Sequence, residues 1–251
     1  MIEPVIQVPP VRPASVLMRI SYAILTYLLS PVYALYWFIR GLRENAYLDR
    51  FGQRFGFGYP QLESGCIWIH AVSVGEVQAA VPLVRALASR FPDKSLLVTT
   101  VTPTGAARAQ AVFGDSVSHS YIPFETPHAV INFFNATRPH LALIMETEIW
   151  PNLYYTCGKR RIPLILVSAR ISQKSVRRYR WLLPLFSETL SYGIVIAAQS
   201  QTDADRFISL GAGAQRTSVT GNIKFDIELP EDIAGDGARF RQKYFGSRPV
   251  W

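Results

Sequence analysis

The sequence predicts an α/β protein built on a mostly parallel, Rossmann-like sheet, and three observations carry that expectation. From residue 66 onward, short apolar runs alternate with helical patterns, the order that produces βαβ units. Pro103 and Pro127 stand at the first positions of two of those helices, where a missing N–H costs little. The first apolar run, at residues 66–70, breaks into small residues and delivers Glu76 where an amphipathic helix begins. In open α/β sheets such turns, at the carboxyl ends of strands, are where ligands bind.

The first element is an uncharged stretch of twenty residues, 20–39, between Arg19 and Arg40. About 20 apolar residues suffice for a helix to cross the hydrocarbon core. Tyr33, Tyr36 and Trp37 precede Arg40 and Arg43, in the manner of an interfacial aromatic belt. Pro31 would kink a spanning helix, so two half-helices lying in one leaflet are an alternative. A secretory signal fits less well, because the run is long and no small-x-small cleavage site follows it. Arg40, Arg43, Arg50 and Arg54 follow the stretch while Arg12 and Arg19 precede it. The positive-inside tendency then places everything after residue 40 in the cytoplasm. The expected organisation is a tail over 1–19, an anchor over 20–39, a juxtamembrane connection over 40–65, the α/β domain over 66–228 and a linker over 229–251.

Strand-like runs lie at 66–70, 95–100, 141–145, 163–167 and 194–198, with a weaker one at 118–122. Helical patterns fall between them at 76–91, 103–113, 127–137, 149–160 and 202–210. In the first helix Val77, Ala80, Val81, Val84, Leu87, Ala88 and Phe91 keep the spacing of one apolar stripe. Toward the end, 229–237 is acidic and loop-like, 238–245 reads as a helix, and 248–251 looks like a strand just beginning. A chain that stops as a strand starts is expected to be a piece of a longer protein.

Composition narrows the function. Of 251 residues, 49% are hydrophobic, enough for a sizeable core, and no repeat or low-complexity tract is present. The net charge of +8 calls for an anionic partner: nucleic acid, lipid headgroup or phosphorylated substrate. Two cysteines far apart in sequence, Cys66 and Cys157, match neither a disulfide scaffold nor a zinc site. Four scattered histidines give no metal signature. Neither Gly-x-Gly-x-x-Gly nor the P-loop pattern occurs, so dinucleotide and P-loop chemistry lose their usual support.

Four constellations carry chemistry. Ser73-Val74-Gly75-Glu76 places a carboxylate at a helix start, where it reads either as a general base or as a cap offsetting the helix dipole. Glu146-Thr147-Glu148 puts two more carboxylates on the same rim, for proton work, for hydroxyl-rich substrates, or for the dipole alone. Ser168-Ala169-Arg170-Ile171-Ser172 runs into Lys174, Arg177, Arg178 and Arg180 with Tyr179 and Trp181 interleaved. Nucleic acid, lipid phosphates and plain solvation all fit that run, and the neighbouring anchor favours lipid. Gly221-Asn222-Ile223-Lys224 ends a short strand with a lysine that is either a surface charge or a group stabilising a leaving phosphate.

Together these blocks resemble the 3-deoxy-D-manno-octulosonic acid (Kdo) transferase family, which places Kdo on the lipid A precursor. The resemblance rests on the anchor, Ile69 to Glu76, Thr99 to Gly105, Glu146 to Asn152, Ser168 to Ser172, and Gly221 to Asp226, in the family's order. It implies a GT-B glycosyltransferase, two Rossmann-like domains facing a cleft, of which this chain carries the anchor and the N-terminal acceptor half. It implies Glu76 as catalytic base and Glu146 and Lys224 as stabilisers of the transition state. The acceptor would be held at Ser73, Gly75, Arg170, Lys174, Arg177 and Arg178. Transfer from CMP-Kdo to the lipid A precursor (lipid IVA), within lipopolysaccharide biosynthesis, would be inverting. It would need no metal or other cofactor, with the catalytic domain on the cytoplasmic side of the bacterial inner membrane and no nucleic acid bound. Val72 and Val101 are small variations within the blocks. The main departure is length: the donor domain would begin at 248–251, so the isolated chain is expected to be inactive. Alternatives are another GT-B glycosyltransferase, a sugar-nucleotide epimerase, or a membrane-tethered module that binds acceptor lipid without catalysis.

Overall fold

A computed structural model describes residues 13–62, 65–226, 232–246 and 248–249. Seven strands form one parallel sheet: β1 (Cys66–His70), β2 (Leu96–Thr100), β3 (Ser118–Tyr121), β4 (Pro139–Met145), β5 (Leu164–Ala169), β6 (Val195–Ala198) and β7 (Thr217–Val219). Their spatial order is β3-β2-β1-β4-β5-β6-β7. Every neighbouring pair runs parallel, and the order reverses between β1 and β4. Helices α2 (Val74–Arg90), α3 (Pro103–Phe113), α4 (Pro127–Thr137), α5 (Pro151–Lys159), α6 (Gln173–Arg180), α7 (Leu183–Ser191) and α8 (Gln201–Ser209) make the connections.

The central strands are largely apolar because both faces of the sheet are covered there, whereas the edge strands β3 and β7 are mostly polar. Along β1 the side chains alternate. Ile67 and Ile69 pack with Val77, Ala80 and Val84 of α2 and Phe113 of α3. Cys66 and Trp68 pack with Phe133 and Phe134 of α4 and with Leu153 and Tyr154 of α5. The cysteines are both free and buried. The α/β class and the parallel sheet expected from the sequence are what the chain forms.

Several boundaries differ from expectation for local reasons. Helix α2 begins at Val74 because Ser73, extended at φ −130°, serves as its N-cap. Helix α5 begins at Pro151, which takes the N-terminal position its missing N–H suits. Helix α7 was not expected at all. The segment 229–237, read as a loop, is helical from Ile233, where α9 (Ile233–Tyr244) begins. Its acidic residues favour that start: Asp232 and Asp236 sit at the positive end of the helix dipole, and both pair with Arg239, at 2.6 and 2.5 Å. Of the strand expected at 248–251, residues 248–249 are not in a strand and 250–251 lie outside the described residues.

The apolar stretch lies within one long helix, α1 (Pro13–Arg43), with Pro31 inside it. By length and hydropathy it is a candidate membrane span. The segment after it carries two 3₁₀ turns, Asn45–Tyr47 and Phe51–Phe55, and packs on the β3 edge. Gln53 Oε1 accepts the Tyr121 N–H at 2.9 Å, and the Arg54 carbonyl accepts the Phe124 N–H at 2.6 Å. The buried Arg54 guanidinium lies over the rings of Trp37, at 3.9 Å, and Tyr121, at 4.4 Å, two cation–π contacts.

Candidate active site

The strand order reverses between β1 and β4, and the carboxyl ends of those two strands form the crevice where open α/β sheets bind ligands. Glu76 stands in the first turn of α2, directly after β1. Its carboxylate folds back onto the turn, accepting the Val72 N–H at 2.8 Å and the Ser73 hydroxyl at 3.4 Å. Burial, helped by the charges of Glu148 and Glu146 and opposed by the bonds from Val72 and Ser73, raises the Glu76 carboxyl to about 7. Gly75 presents open space above the turn, with no atom within 4 Å of where a Cβ would stand. A substrate can therefore approach the α2 N-terminus closely.

Glu146 follows β4 and is 8% exposed. Its Oε1 accepts from Lys224 Nζ at 2.5 Å and its Oε2 from Arg170 Nε at 2.9 Å. Burial by itself would raise this carboxyl. The Lys224 hydrogen bond and the Arg170 and Lys224 charges outweigh it and hold the group below the usual carboxylate range. The 3₁₀ turn that carries Lys224, Ile223–Asp226, packs against α2. The three residues expected to be catalytic thus meet at one rim.

Backbone strain marks the same place. Glu146 has φ +55° and Ser168, at the end of the adjacent β5, has φ +52°. Side chains other than glycine seldom adopt that region, and each costs of order 1–3 kcal/mol. Ser168 Oγ accepts from Gln199 Nε2 at 3.1 Å and from the Ile223 N–H at 3.3 Å. Thr147 donates to the Arg170 carbonyl at 2.6 Å. These bonds set the backbone on which Lys224 and Arg170 are carried. Gly221, at φ +87°, gives the chain the left-handed turn into the Lys224 segment.

Behind the rim, burial raises the Glu148 carboxyl, opposed by the Trp150 indole N–H, which donates to it at 2.6 Å, and reinforced by the Glu146 charge. The buried His70 ring stands edge-on to Trp150 at 5.9 Å and is pushed down to about 4 by burial, so it is neutral. Glu125 accepts the N–H groups of Asn152 and Leu153, at 3.1 and 2.8 Å, closing the N-terminus of α5. Sequence reasoning missed Glu125 and the anchoring role of Ser168. Glu125 sits in a turn with nothing to mark it as buried, and Ser168 was visible only as a member of a motif.

The basic run is separate from this cluster. Lys174, Arg177 and Arg178 lie on α6, capped by Ser172, whose hydroxyl accepts the Ser175 N–H at 3.1 Å. With Gln173 and Trp181 they line an open cavity of about 520 Å³. Among the described residues none of the three basic side chains pairs with a carboxylate. Arg170 alone of the basic set reaches the carboxylate cluster. Among the described residues, no three His, Cys, Asp or Glu side chains gather in a group that could hold a metal.

A family model described as 3-deoxy-D-manno-octulosonic-acid transferase (kdotransferase) matches residues 49–227. That match covers the whole sheet and every residue of the rim. The chain belongs to the Kdo transferase family. The Kdo transferase of Haemophilus influenzae is 35% identical to it over 237 residues, spanning 93% of this chain and 55% of that protein. The enzyme of Bordetella pertussis is 38% identical over 187 residues, spanning 72% of this chain and 42% of that protein. The chain therefore spans about half the length of the curated relatives it matches. Among solved structures, UDP-GlcNAc 2-epimerase from Neisseria meningitidis aligns with a TM-score of 0.48 at 12% identity, over 71% of this chain and 51% of that one.

Proposed function

We propose that this chain is the acceptor half of a GT-B enzyme that transfers Kdo from CMP-Kdo to a lipid A precursor (lipid IVA), with inversion, in lipopolysaccharide biosynthesis. The observation that carries the proposal is the pairing of a carboxyl raised to about 7, Glu76, with the ion-paired Glu146–Lys224 at the reversal point of the sheet. A base titrating near neutral pH has enough charged form to act and enough basicity to take a proton.

In the proposed reaction the acceptor hydroxyl gives its proton to Glu76 as its oxygen bonds to the anomeric carbon of Kdo. The bond to the phosphate of CMP breaks, and CMP leaves with the electron pair. Lys224, held by Glu146, stabilises the charge that develops on the leaving phosphate. Arg170, Lys174, Arg177 and Arg178 pair with phosphates of the acceptor lipid, while Ser73 and Gly75 shape the floor on which its hydroxyl rests. The scheme uses no metal or other cofactor and no nucleic acid. Most donor contacts would come from the portion of the relatives that this chain does not cover. The chain by itself should bind anionic acceptor lipid, more weakly as salt rises, and show no transfer. Positioning of two reactants contributes about 7–11 kcal/mol of the barrier in well-oriented systems, and without the donor that contribution is lost. Helix α1 would hold the protein at the inner membrane with the site facing the cytoplasm.

Glu76→Gln in the full-length protein tests the proposal. An amide keeps the size and the acceptor to the Val72 N–H but cannot take a proton, so transfer should fall by about 10²–10⁴ with acceptor binding unchanged. The bonds from Val72 and Ser73 favour a second reading, in which Glu76 only caps α2. Near-normal turnover in this variant would establish that reading.

A further inference from the structure

Helix α1 has two faces, and only one of them is open. Ser15, Tyr22, Thr26, Tyr33, Trp37 and Gly41 are covered or partly covered, and their spacing of four or seven residues makes one continuous stripe. That stripe runs the length of the helix, about 45 Å at 1.5 Å per residue. On the other side Leu17, Leu28, Val32, Leu35 and Leu42 each leave more than half of their surface exposed.

The contacts that cover the first face come from the α/β domain and from the segment that follows the helix, and they fall throughout the uncharged stretch. Arg19 pairs with Glu188 of α7 at 3.3 Å. The Tyr27 hydroxyl accepts the N–H of His128, in α4, at 3.2 Å. Tyr33 stacks on Phe124 at 4.1 Å, and Trp37 lies against Tyr47 at 5.3 Å and over Arg54. At Gly41 a Cβ would collide with Leu48, so the helix end is seated as closely as its middle. Were this helix to cross a bilayer, α4, α7 and the Arg54 segment would have to enter the hydrocarbon beside it. His128 and Glu188, which bond to the helix, would go with them, at a cost of several kcal/mol per unsatisfied polar group.

We propose that α1 does not cross the membrane but lies along one leaflet of an anionic bilayer, its outward apolar face in the lipid and its inner face docked on the α/β domain. The proposal rests on the membrane location given above and deepens it. Charge complementarity names the occupant. Arg40 and Arg43 close the helix. Helix α7, which carries Glu188 against α1, is entered through Trp181, 86% exposed, and Leu182, directly after the arginines of α6. An apolar face bordered by tryptophan and arginine is the pattern of helices that lie in the interface. In this arrangement the carboxylate rim stays beside the leaflet that supplies the acceptor.

Single cysteines at Ala14→Cys and Glu44→Cys in the full-length protein test the topology, since Cys66 and Cys157 are buried and give little background. A membrane-impermeant maleimide is applied to spheroplasts and to inverted inner-membrane vesicles. Both positions should react in the inverted vesicles and neither in spheroplasts. Labelling of Ala14→Cys only in spheroplasts would show a spanning helix and overturn the proposal while leaving the membrane location intact. Recovery of the protein in the soluble fraction would remove the membrane location and the proposal together. Leu28→Cys should not crosslink to itself; efficient disulfide dimers would assign the outward face to a second copy instead of lipid.

Discussion

Glu76 follows β1 and Glu146 follows β4, neighbouring strands of one sheet, yet their carboxyl groups are held in opposite states. Glu76 is half-buried with no cation beside it, and two other carboxylates act on it, so its proton is retained to about pH 7. Burial by itself would raise the Glu146 carboxyl as well. Two cations in direct contact reverse that outcome. Desolvation and charge pairing thus compete at both sites, and the winner is set by whether a lysine and an arginine reach the oxygen atoms. Two acids whose environments push them apart can take different roles: one moves a proton, the other stays ionised and fixes a cation.

The comparison can be broken first at its ion pair. Lys224→Met removes the proposed charge stabiliser and should lower transfer by about 10²–10³ in the full-length protein. Glu146→Gln should cost a comparable factor by releasing Lys224. Because the two act through one contact, the double variant should be far less impaired than the product of the single losses. Fully multiplicative losses, read from kcat/KM, would separate the two residues. Glu146→Gln should move the half-point of the Glu76 titration below its wild-type position, since the Glu146 charge is one of those that raise Glu76.

A smaller effect is expected at Ser168. Ser168→Ala removes the acceptor for Gln199 and for the Ile223 N–H and keeps a Cβ at φ +52°. Ser168→Gly loses the same bonds but relieves the backbone, so it should be more stable than Ser168→Ala by about 1–2 kcal/mol in denaturant unfolding. Both should lower transfer through the displaced Lys224 segment. Equal stability of the two variants would mean that the left-handed backbone stores no strain.

The smallest effect is a divergence with pH. The folded state raises the Glu76 carboxyl from 4.5 to about 7, so it favours the protonated form. That contribution is complete below pH 4.5 and is lost as pH rises through 7. Glu76→Gln cannot ionise, so its Tm should gain on the wild type between pH 5 and pH 8. Glu146 carries the opposite sign: its contribution is present above the ordinary carboxylate range and is lost on acidification. The Tm deficit of Glu146→Gln should therefore shrink toward pH 3. Parallel Tm curves for wild type and Glu76→Gln would contradict the raised carboxyl.

What the sequence made legible follows from what each feature depends on. The middles of strands β1, β2 and β4 are covered on both faces, so each carries a short apolar run that stands out. Pro103, Pro127 and Pro151 mark helix starts by their own chemistry. Helix α7 escaped notice because Pro184 and two serines interrupt a segment only nine residues long, too short for its apolar stripe to repeat. The positions of Glu76, Glu146 and Lys224 were readable as motifs. The bond between Glu146 and Lys224 spans 78 residues of sequence and depends on the sheet order, which no local pattern encodes. The choice between base and cap at Glu76 was open in the sequence because one geometry serves both: the bonds that cap the helix also hold the carboxylate at the rim.

The pH dependence of transfer tests the central claim most directly. With the full-length protein, CMP-Kdo and lipid A precursor, log kcat/KM should rise with unit slope and level off with a half-point near pH 7, the value to which burial raises Glu76. In Glu76→Gln that ascending limb should vanish, leaving a low rate that is flat across the same range. An ascending limb of unchanged position in Glu76→Gln would show that another group takes the proton.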